Sequence, residues 1–343
     1  MKAAVIHEHG GVDKMRIDEV PRPKAAQGEA LLQVRAAALN HLDVWVRRGG
    51  RAKLRMPHVL GSDAAGTVAE LGPGASAPQV GDAVILNPGL SCGSCEFCNR
   101  GEHSLCASFG LVGLNRPGTY AEFVAVPAAN LLPKPPHLSF QEAAALPMAH
   151  ATAWRMLMAR AGLRAGETVL IHGIGGGIAQ AGLQLARLAG AEVVVTSSSD
   201  EKLRRAKELG AHHAINYKAA PDVAGEVRKL TGGRGADVVM DTVGAATWET
   251  NFAAVRKGGR IVHCGVTGGA AAQVNVQTLY WNQIAVMGST LGSREDFRAM
   301  LRAVIAAGLK PVIDSVLPLD EARKAAERME GGGQFGKIVL TIA

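Results

Sequence analysis

The chain has 343 residues, of which 48% are hydrophobic, 20% charged and 4% aromatic, and it carries a net charge of +7. This length predicts two domains of an ordinary globular protein. Its apolar runs are too short to span a bilayer, and residues 1–5 resemble a strand more than a targeting segment, so we expect a cytoplasmic protein without a membrane partner. The basic residues are scattered without interleaved aromatic residues, which disfavours a nucleic-acid partner, and an anionic cofactor or substrate accounts equally well for the positive excess.

Residues 1 to about 135 are rich in glycine and proline and predict short strands joined by loops. The candidate strands are residues 30–37, 66–70 and 83–86. A helix is predicted after the prolines near residue 135, with Ser139 as its N-cap and Glu142 closing a capping box.

Four cysteines lie within fifteen residues with the spacing C-x2-C-x2-C-x7-C. They are Cys92, Cys95, Cys98 and Cys106, and Cys264 stands apart from them. Four thiolates complete a tetrahedral shell around one zinc ion and leave no position for water or substrate, so the predicted zinc is structural. Pro88, Gly89 and Gly93 predict that the segment is a loop. The alternative is a redox-active or disulfide-bonded set of cysteines.

From about residue 150 the chain alternates apolar strands with amphipathic helices of about ten to fourteen residues. The candidate strands are residues 168–172, 192–196, 237–241, 260–264 and 284–288. Helical crossovers between successive strands are what a parallel sheet requires, so this half predicts a doubly wound α/β sheet.

A glycine cluster at residues 173–177 follows the first of these strands and precedes a helix expected over residues 180–188. Such a turn lets the backbone approach a pyrophosphate, which then lies at the positive N-terminus of the helix. The candidate cofactor-binding residues of this turn are Gly175, Gly176, Gly177 and Ile178. The alternative is a glycine-rich turn without a ligand.

The end of the second strand carries no acidic residue that would accept hydrogen bonds from an unphosphorylated ribose. It has Ser197, Ser198 and Ser199 instead, with Lys202 close behind. These hydroxyl and ammonium groups suit a 2′-phosphate, which favours NADP(H), with NAD(H) as the other option. The alternative is that the serines cap a helix and Lys202 is a solvated charge.

Several motifs together resemble the medium-chain dehydrogenase/reductase superfamily, which contains the zinc alcohol dehydrogenases and the quinone oxidoreductases. They are NHLD at residues 40–43, GSDAAGTV at 61–68, the four cysteines, GTYAE at 118–122, the glycine turn and GGR at 258–260. The resemblance implies a mostly β, GroES-like catalytic domain with a Rossmann domain inserted in it, and a homodimer or homotetramer. The implied boundaries are residues 1–149 and 291–343 for the catalytic domain, 88–108 for its structural zinc lobe, and 150–290 for the Rossmann domain.

The resemblance also implies that the ligands of a catalytic zinc are missing. Asn40, Ser62 and Met148 stand where that family has Cys, His and Cys, and Leu42 stands where it has a proton-relaying hydroxyl. Asn, Ser and Met are poor zinc ligands beside thiolate and imidazole. A rearranged metal site that uses Asp63 and His150 is the alternative.

The polar residues left at the corresponding positions are the catalytic candidates, namely Asn40, Asp43, Asp63 and His150. For Asp43 and His150 a purely structural role is the alternative. The resemblance adds further cofactor-binding candidates: His41, Thr152, Tyr217, Thr242, Val243, Cys264, Gly265 and Val266.

Without a catalytic metal, alcohol oxidation lacks the Lewis acid that steadies its alkoxide, whereas an electron-poor acceptor needs none. The sequence therefore predicts an NAD(P)H-dependent oxidoreductase that passes hydride to a quinone or an α,β-unsaturated carbonyl compound. One alternative is an NAD(P)-dependent alcohol dehydrogenase with an unusual zinc site. An alternative of another class is a non-catalytic dinucleotide-binding protein.

Overall fold

The computed structural model describes residues 1–50 and 54–343. The chain forms two compact units, one made of Met1–Ala151 and Gly292–Ala343 and the other of Thr152–Leu291. Within the described residues, every helix is too short or too polar to cross a membrane.

The first unit is mostly β-structure. Its strands are β1 (Lys2–Ile6), β2 (Met15–Glu19), β3 (Glu29–Ala38), β4 (His58–Val59), β5 (Asp63–Leu71), β6 (Ala83–Leu86), β7 (Gly89–Leu90), β8 (Gly110–Leu111), β9 (Phe123–Pro127), β10 (Leu131–Pro133), β17 (Ile313–Pro318) and β18 (Lys337–Thr341). Its helices are α1 (His41–Arg48), α2 (Glu96–Asn99), α3 (Phe140–Ala144), α10 (Arg294–Ala306) and α11 (Ala322–Glu330), and α4 (Pro147–Trp154) runs across its boundary.

A seven-stranded sheet with the order β10-β6-β5-β3-β18-β17 organises this unit, and β9 also pairs with β3. Strand β3 is its centre because Leu31, Leu32 and Val34 are fully buried and both neighbours pair antiparallel with it. The register places Ala38, the last residue of β3, opposite Asp63 of β5 and Val339 of β18. The C-terminal end of β3 therefore meets the start of β5 and the start of β18.

The second unit alternates strands and helices. In chain order these are β11 (Thr168–Ile171), α5 (Gly177–Leu188), β12 (Glu192–Ser197), α6 (Asp200–Glu208), β13 (His213–Asn216), α7 (Val223–Leu230), β14 (Ala236–Asp241), α8 (Trp248–Ala254), β15 (Val255–His263), α9 (Val276–Trp281) and β16 (Ala285–Gly288). The strands form one parallel sheet with the order β13-β12-β11-β14-β15-β16. This is the strand order of a Rossmann fold, and it confirms the predicted doubly wound sheet.

The predicted strands and the helix cap agree with the structure, with shifted ends. The Ser139 hydroxyl oxygen accepts the Glu142 backbone N–H at 3.1 Å, and the Glu142 carboxylate accepts the Ser139 backbone N–H at 2.8 Å. The capping box is therefore confirmed. The loop prediction for the cysteine segment was wrong in part, because it contains the two-residue strand β7 and the short helix α2. Glycine and proline marked turns there correctly but concealed elements of two to four residues.

Candidate functional site

A buried lysine–carboxylate pair lies in the first unit where β3, β5 and β18 meet. Asp63 begins β5, Lys337 begins β18, and Asn40 follows the end of β3. The Lys337 Nζ atom is 3.0 Å from Asp63 Oδ2, and the two side chains are 5% and 0% exposed. The strand register thus brings together residues that are far apart in the sequence.

Every donor of the Lys337 ammonium is in use. Its Nζ donates to the Leu39 carbonyl oxygen at 2.6 Å, to Asn40 Oδ1 at 2.6 Å and to Asp63 Oδ2 at 3.0 Å, and an ammonium has three N–H groups. Asn40 Nδ2 donates to Asp63 Oδ2 at 2.9 Å, and the Met148 backbone N–H donates to Asp63 Oδ1 at 2.9 Å. Both carboxylate oxygens of Asp63 therefore accept hydrogen bonds, and the Asn40 amide is held in one orientation.

Asp43 joins this cluster through the backbone of Asn40. Its Oδ2 atom accepts the Asn40 backbone N–H at 2.8 Å and the Tyr120 hydroxyl at 2.5 Å, and it lies in the first turn of α1. Burial raises the pKa of Asp43 to about 6, although the hydrogen bond from Tyr120 acts in the opposite direction. These contacts favour a role for Asp43 in fixing the α1 N-terminus.

The structure gathers Asn40, Asp43 and Asp63, whereas the other predicted residues of this region lie around them. Ser62 is buried and donates its hydroxyl to the Val112 carbonyl oxygen at 2.7 Å. His150 is 2% exposed within α4, two residues after Met148. His41 is the first residue of α1, and desolvation together with the positive charge of Lys337 lowers its pKa.

Sequence reasoning missed Lys337 and Tyr120. A signal for Lys337 was present, because a lysine directly before the apolar run Ile338–Leu340 must either point to solvent or find a buried anion. Tyr120 lies within the GTYAE motif, but no pattern in the sequence indicates that its hydroxyl reaches Asp43.

The four-cysteine cluster has the dimensions of a tetrahedral zinc site. The sulfur atoms of Cys92, Cys95, Cys98 and Cys106 all lie within 4.8 Å of one another. Cys92 Sγ is 3.5 Å from Cys106 Sγ and 3.9 Å from Cys98 Sγ, close to the separation of about 3.8 Å that four Zn–S bonds of about 2.3 Å impose. A disulfide bond is only about 2.05 Å long, so these are separate thiols.

Backbone N–H groups point at the sulfur atoms of this cluster. The Cys95 N–H donates to Cys92 Sγ at 3.4 Å, and the Ser108 N–H donates to Cys106 Sγ at 3.3 Å. The N–H groups of Ser94 and Cys95 lower the pKa of Cys92 to about 6. Burial acts in the opposite direction at Cys98 and raises its pKa to about 11. The four converging sulfur atoms are the donor set that zinc binds as thiolates, so they fit the metal.

In the second unit, the dinucleotide candidates lie at the carboxyl ends of the parallel strands. Residues 173–176 form the turn between β11 and α5, and Gly176 is the N-cap of α5 without a side-chain cap. The first N–H groups of α5 thus remain open to an anion. A Cβ atom added at Gly182 would approach Met240 Sδ to 2.5 Å, so this glycine lets α5 pack closely against β14.

The residues predicted to bind a 2′-phosphate lie at and after the carboxyl end of the next strand, β12. Ser197 ends β12, and its Oγ accepts the Ser199 N–H at 3.1 Å, while Ser199 caps α6 by accepting the Lys202 N–H. Tyr217 is 45% exposed, and its backbone N–H donates to the Ser197 carbonyl oxygen at 3.2 Å. The first turn of α6 also carries Asp200 and Glu201.

The remaining candidates follow β14 and β15. The backbone at Thr242 lies close to Gly265, because a Cβ atom added at Gly265 would come within 3.0 Å of the Thr242 carbonyl oxygen. Gly265 also has a φ of +97°, which favours glycine. Val243 lies in the first of these loops, and Cys264 and Val266 flank the glycine in the second. Thr152 is buried at the start of the second unit.

Known proteins match both halves of this arrangement. The alcohol dehydrogenase GroES-like domain matches residues 26–136, and the zinc-binding dehydrogenase domain matches residues 177–306. A zinc-type alcohol dehydrogenase-like protein of Schizosaccharomyces pombe is 35% identical, with 98% of each chain covered. The acryloyl-coenzyme A reductase of Metallosphaera sedula is 30% identical over 99% of this chain and 100% of the relative.

Among solved structures, an NAD-dependent alcohol dehydrogenase superposes with a TM-score of 0.96 at 44% identity, with 100% of both chains covered. The GroES-like fold implied by the motifs is therefore confirmed, as is the Rossmann domain. The chain belongs to the zinc-binding dehydrogenases of the medium-chain dehydrogenase/reductase superfamily, and is an NAD(P)-dependent oxidoreductase of that superfamily.

Proposed function

We propose that this protein is an NAD(P)H-dependent reductase that transfers hydride to a small quinone or α,β-unsaturated carbonyl compound. In this proposal the four cysteines hold one structural zinc ion, and no second zinc takes part in the reaction. The observation that carries it is the closed hydrogen-bonded cluster of Lys337, Asp63 and Asn40.

The contacts of this cluster disfavour a catalytic metal at Asn40 and Asp63. Both oxygens of Asp63 already accept hydrogen bonds, and a cation, the Lys337 ammonium, lies against them. Asn40 Oδ1 is occupied by the same ammonium. Within residues 1–50 and 54–343, the four cysteines are the one place where three or more His, Cys, Asp or Glu side chains bring their ligand atoms close together. The four cysteine sulfur atoms suit zinc, whereas the oxygen atoms of Asn40 and Asp63 are already engaged, and this supports one zinc ion per chain.

The residues of the cluster suit the reduction of an electron-poor acceptor. The bound dinucleotide supplies hydride. The three N–H groups of Lys337 are committed to Leu39, Asn40 and Asp63, so the part of Lys337 is to hold the Asn40 amide in place. Asn40 is oriented by Lys337 and Asp63, and such preorganised dipoles need no rearrangement during the reaction. An alcohol would instead have to lose a proton, and Leu42 provides no group to take it.

The names of the relatives are divided between two reactions, the reduction of an unsaturated carbonyl compound and the oxidation of an alcohol. Acryloyl-coenzyme A reductase, by its name, acts on an unsaturated thioester, which supports the unsaturated-carbonyl substrate. The structure at 44% identity is that of an alcohol dehydrogenase, and this supports alcohol oxidation as the second candidate. Alcohol oxidation would require Asp63 to leave Lys337 and to bind a metal, with His150 as a further ligand.

The two candidates differ in metal content and in substrate. We expect about one zinc ion per purified chain, with NADPH-dependent reduction of a small quinone, an enone or an enoyl thioester and negligible oxidation of simple alcohols. Two zinc ions per chain, with chelator-sensitive alcohol oxidation and no reduction of these acceptors, would establish the second candidate. Dinucleotide binding without turnover of any acceptor would favour a non-catalytic role.

For the cofactor, we propose a preference for NADPH over NADH. The support is the absence of an acid at the end of β12, where Ser197 and Ser198 stand beside Lys202 and the exposed Tyr217. Asp200 and Glu201 act against a 2′-phosphate by charge, so the preference rests on the serines and the lysine.

The test is the change Ser197→Asp, which should reverse the preference because a carboxylate repels the 2′-phosphate and accepts the 2′-hydroxyl. Dissociation constants for both dinucleotides provide the measurement, with Ser76→Asp, at an exposed position of the first unit, as the control. Wild-type protein that binds NADH as tightly as NADPH would contradict the proposal.

We propose further that the protein is a homodimer or homotetramer assembled through the second unit. Strand β16 is at the edge of the parallel sheet, and an edge strand offers unpaired backbone groups to another chain. Beside it in sequence, Val276, Tyr280 and Trp281 of α9 are 66%, 61% and 69% exposed. Apolar surface of this extent next to a free edge supports self-association.

A further inference from the structure

Two turns of the second unit that belong to the proposed dinucleotide site are joined underneath by buried polar side chains. The first turn begins at Gly173 after β11, and the second begins at Thr242 after β14. The side chains between them are Thr196, His172, Asn251 and Asp241, which are 1%, 3%, 0% and 0% exposed. Because these side chains are buried, a polar atom without a hydrogen-bond partner would cost folding free energy. Their arrangement can therefore be followed from one hydrogen bond to the next.

The first turn is held by Thr196. Its Oγ1 atom accepts the Gly173 backbone N–H at 3.3 Å and lies 3.3 Å from His172 Nδ1. The Thr196 hydroxyl has one proton to donate, and His172 Nδ1 lies within reach of it. When Nδ1 accepts this proton, the neutral imidazole carries its own proton on Nε2.

The second turn is held by Asp241. Its Oδ1 atom accepts the backbone N–H groups of Val243 at 2.7 Å and Gly244 at 3.3 Å. Its Oδ2 atom accepts Asn251 Nδ2 at 2.6 Å and the Thr247 hydroxyl at 2.9 Å. With Nδ2 committed to Asp241, the Asn251 side chain turns its Oδ1 atom away as an acceptor.

His172 Nε2 and Asn251 Oδ1 are the two polar atoms left between the turns. Each is buried and lacks a hydrogen-bond partner among the residues that the structure describes, and a proton on Nε2 would make the ring nitrogen a donor to the amide oxygen. Burial lowers the pKa of His172, while the Asp241 carboxylate and the Asn251 side chain oppose that effect, as an amide oxygen facing Nε2–H would.

We propose that Thr196, His172, Asn251 and Asp241 form one polar chain that fixes the two turns relative to each other, and that they are positioning residues for the dinucleotide. The inference rests on the proposed dinucleotide site. Because the chain runs from the Gly173 N–H to the Val243 N–H, a break at either end should loosen both turns. The chain should therefore behave as one unit and not as two independent supports.

The test compares dinucleotide binding by the full-length wild-type protein with binding by Thr196→Val, Asn251→Leu and the double variant, through NADPH and NADH fluorescence. Each single change should weaken binding by roughly tenfold, the loss of about one hydrogen bond. The double variant should bind hardly more weakly than the weaker single variant, since the chain is already broken.

Thr196→Ser, which keeps the hydroxyl, should restore most of the affinity. Thr168→Val, a buried change at the opposite end of the same sheet, is the matched control and should change binding by less than about twofold.

Nitrogen NMR of the His172 ring provides a measurement that a general loss of stability would not imitate. The wild-type protein should show the neutral tautomer with its proton on Nε2, and Asn251→Leu should shift the Nε2 resonance. A proton on Nδ1, single variants that bind like the wild type, or losses that multiply in the double variant would each overturn the chain. If the wild-type protein binds neither dinucleotide, the proposed function fails and the positioning role fails with it. If it binds one and the variants bind equally well, the chain alone is wrong.

Discussion

Lys337 and Asp63 form an ion pair that is almost completely removed from water. A buried pair of this kind is not strongly stabilising relative to apolar residues, because both charges lose their hydration. Once it is formed, however, neither partner can be removed cheaply, since the other charge is left buried and unpaired. The additional hydrogen bonds from Asn40 and the Met148 backbone hold both oxygens of the Asp63 carboxylate in place.

We predict that Lys337→Met destabilises the protein by about 3–5 kcal/mol, because Asp63 is left as an uncompensated buried charge. The double change Lys337→Met with Asp63→Asn should recover part of this loss, since the unpaired charge is gone. Lys2→Met, which breaks an exposed pair with Asp320, is the control and should cost below about 1 kcal/mol. Denaturant unfolding measures all three, and a Lys337→Met protein as stable as the wild type would show that the buried pair is not formed.

Asp43 predicts a pH dependence of stability. Its pKa in the folded protein is raised to about 6 by burial, above that of an unfolded chain. The folded state therefore binds more protons than the unfolded state between pH of about 4 and 6, and stability falls as the pH rises through this window.

Asp43→Asn should remove this dependence while keeping an oxygen for the Asn40 N–H and the Tyr120 hydroxyl. The stability of the wild type relative to Asp43→Asn should fall by up to about 3 kcal/mol from pH 4 to pH 7. Unfolding curves for both proteins across this range provide the test. A difference in stability that does not vary with pH would mean that folding does not raise the pKa of Asp43.

At the residue scale, the family resemblance predicts that Asn40, Ser62 and Met148 replace zinc ligands, but the sequence does not indicate what these residues contact. Asn40, Ser62 and Met148 were recognised from motifs, which are local patterns. Lys337 reaches Asp63 through the register of β18 on β3 and of β3 on β5, across 274 positions of sequence. No local pattern contains that information. The raised pKa of Asp43 likewise depends on burial, and the hydrogen bond that opposes it comes from Tyr120, which is far away in the sequence.

Among the elements, the cysteine lobe has little apolar structure of its own. It contains α2, which has four residues, and the two-residue strand β7. Within the described part of the chain, β7 pairs with β8, a two-residue strand just after the lobe. Elements this short are marginal in water, so the lobe depends on a cross-link for its order. The four thiols provide the donors for such a cross-link.

We predict that Cys95→Ser lowers the zinc content from about one ion per chain to nearly none, because a hydroxyl is a poor ligand for zinc. The lobe should lose protection in hydrogen exchange, while dinucleotide affinity of the folded protein changes by less than about twofold. Cys264→Ser, outside the cluster, should keep the zinc. Full zinc content in Cys95→Ser would mean that the metal is bound elsewhere.

The regular elements were the most predictable part of the fold. The Ser139–Glu142 capping box and the glycine turn before α5 each depend on a few adjacent residues, and the structure has both. Strand β15 was less well predicted, because it spans Val255–His263 and includes two glycines that usually interrupt strands. The elements β7, β8 and α2 escaped prediction because pairing and thiol geometry, not propensity, fix them.

For the whole molecule, the free edges of the parallel sheet are its outermost strands, β13 and β16. They differ in their surroundings. Strand β13 follows the strongly charged helix α6, whereas β16 follows α9 with its exposed tyrosine and tryptophan. Charge protects an edge from pairing and apolar surface promotes it. Self-association through the β16 edge is therefore expected, and self-association through the β13 edge is not.

This asymmetry leads to a prediction about assembly. Tyr280→Glu combined with Trp281→Glu places two like charges on the exposed apolar surface beside β16, and burying them in an interface would be strongly unfavourable. We expect the wild-type protein to sediment as a dimer or tetramer and the double variant to shift toward the monomer. Val80→Glu provides the matched control, because Val80 is 61% exposed in the other unit and its change should leave the assembly intact. Both residues are already exposed in the single chain, so the substitutions should not unfold it, and circular dichroism checks this directly. A double variant that retains the wild-type sedimentation coefficient would show that assembly uses another surface.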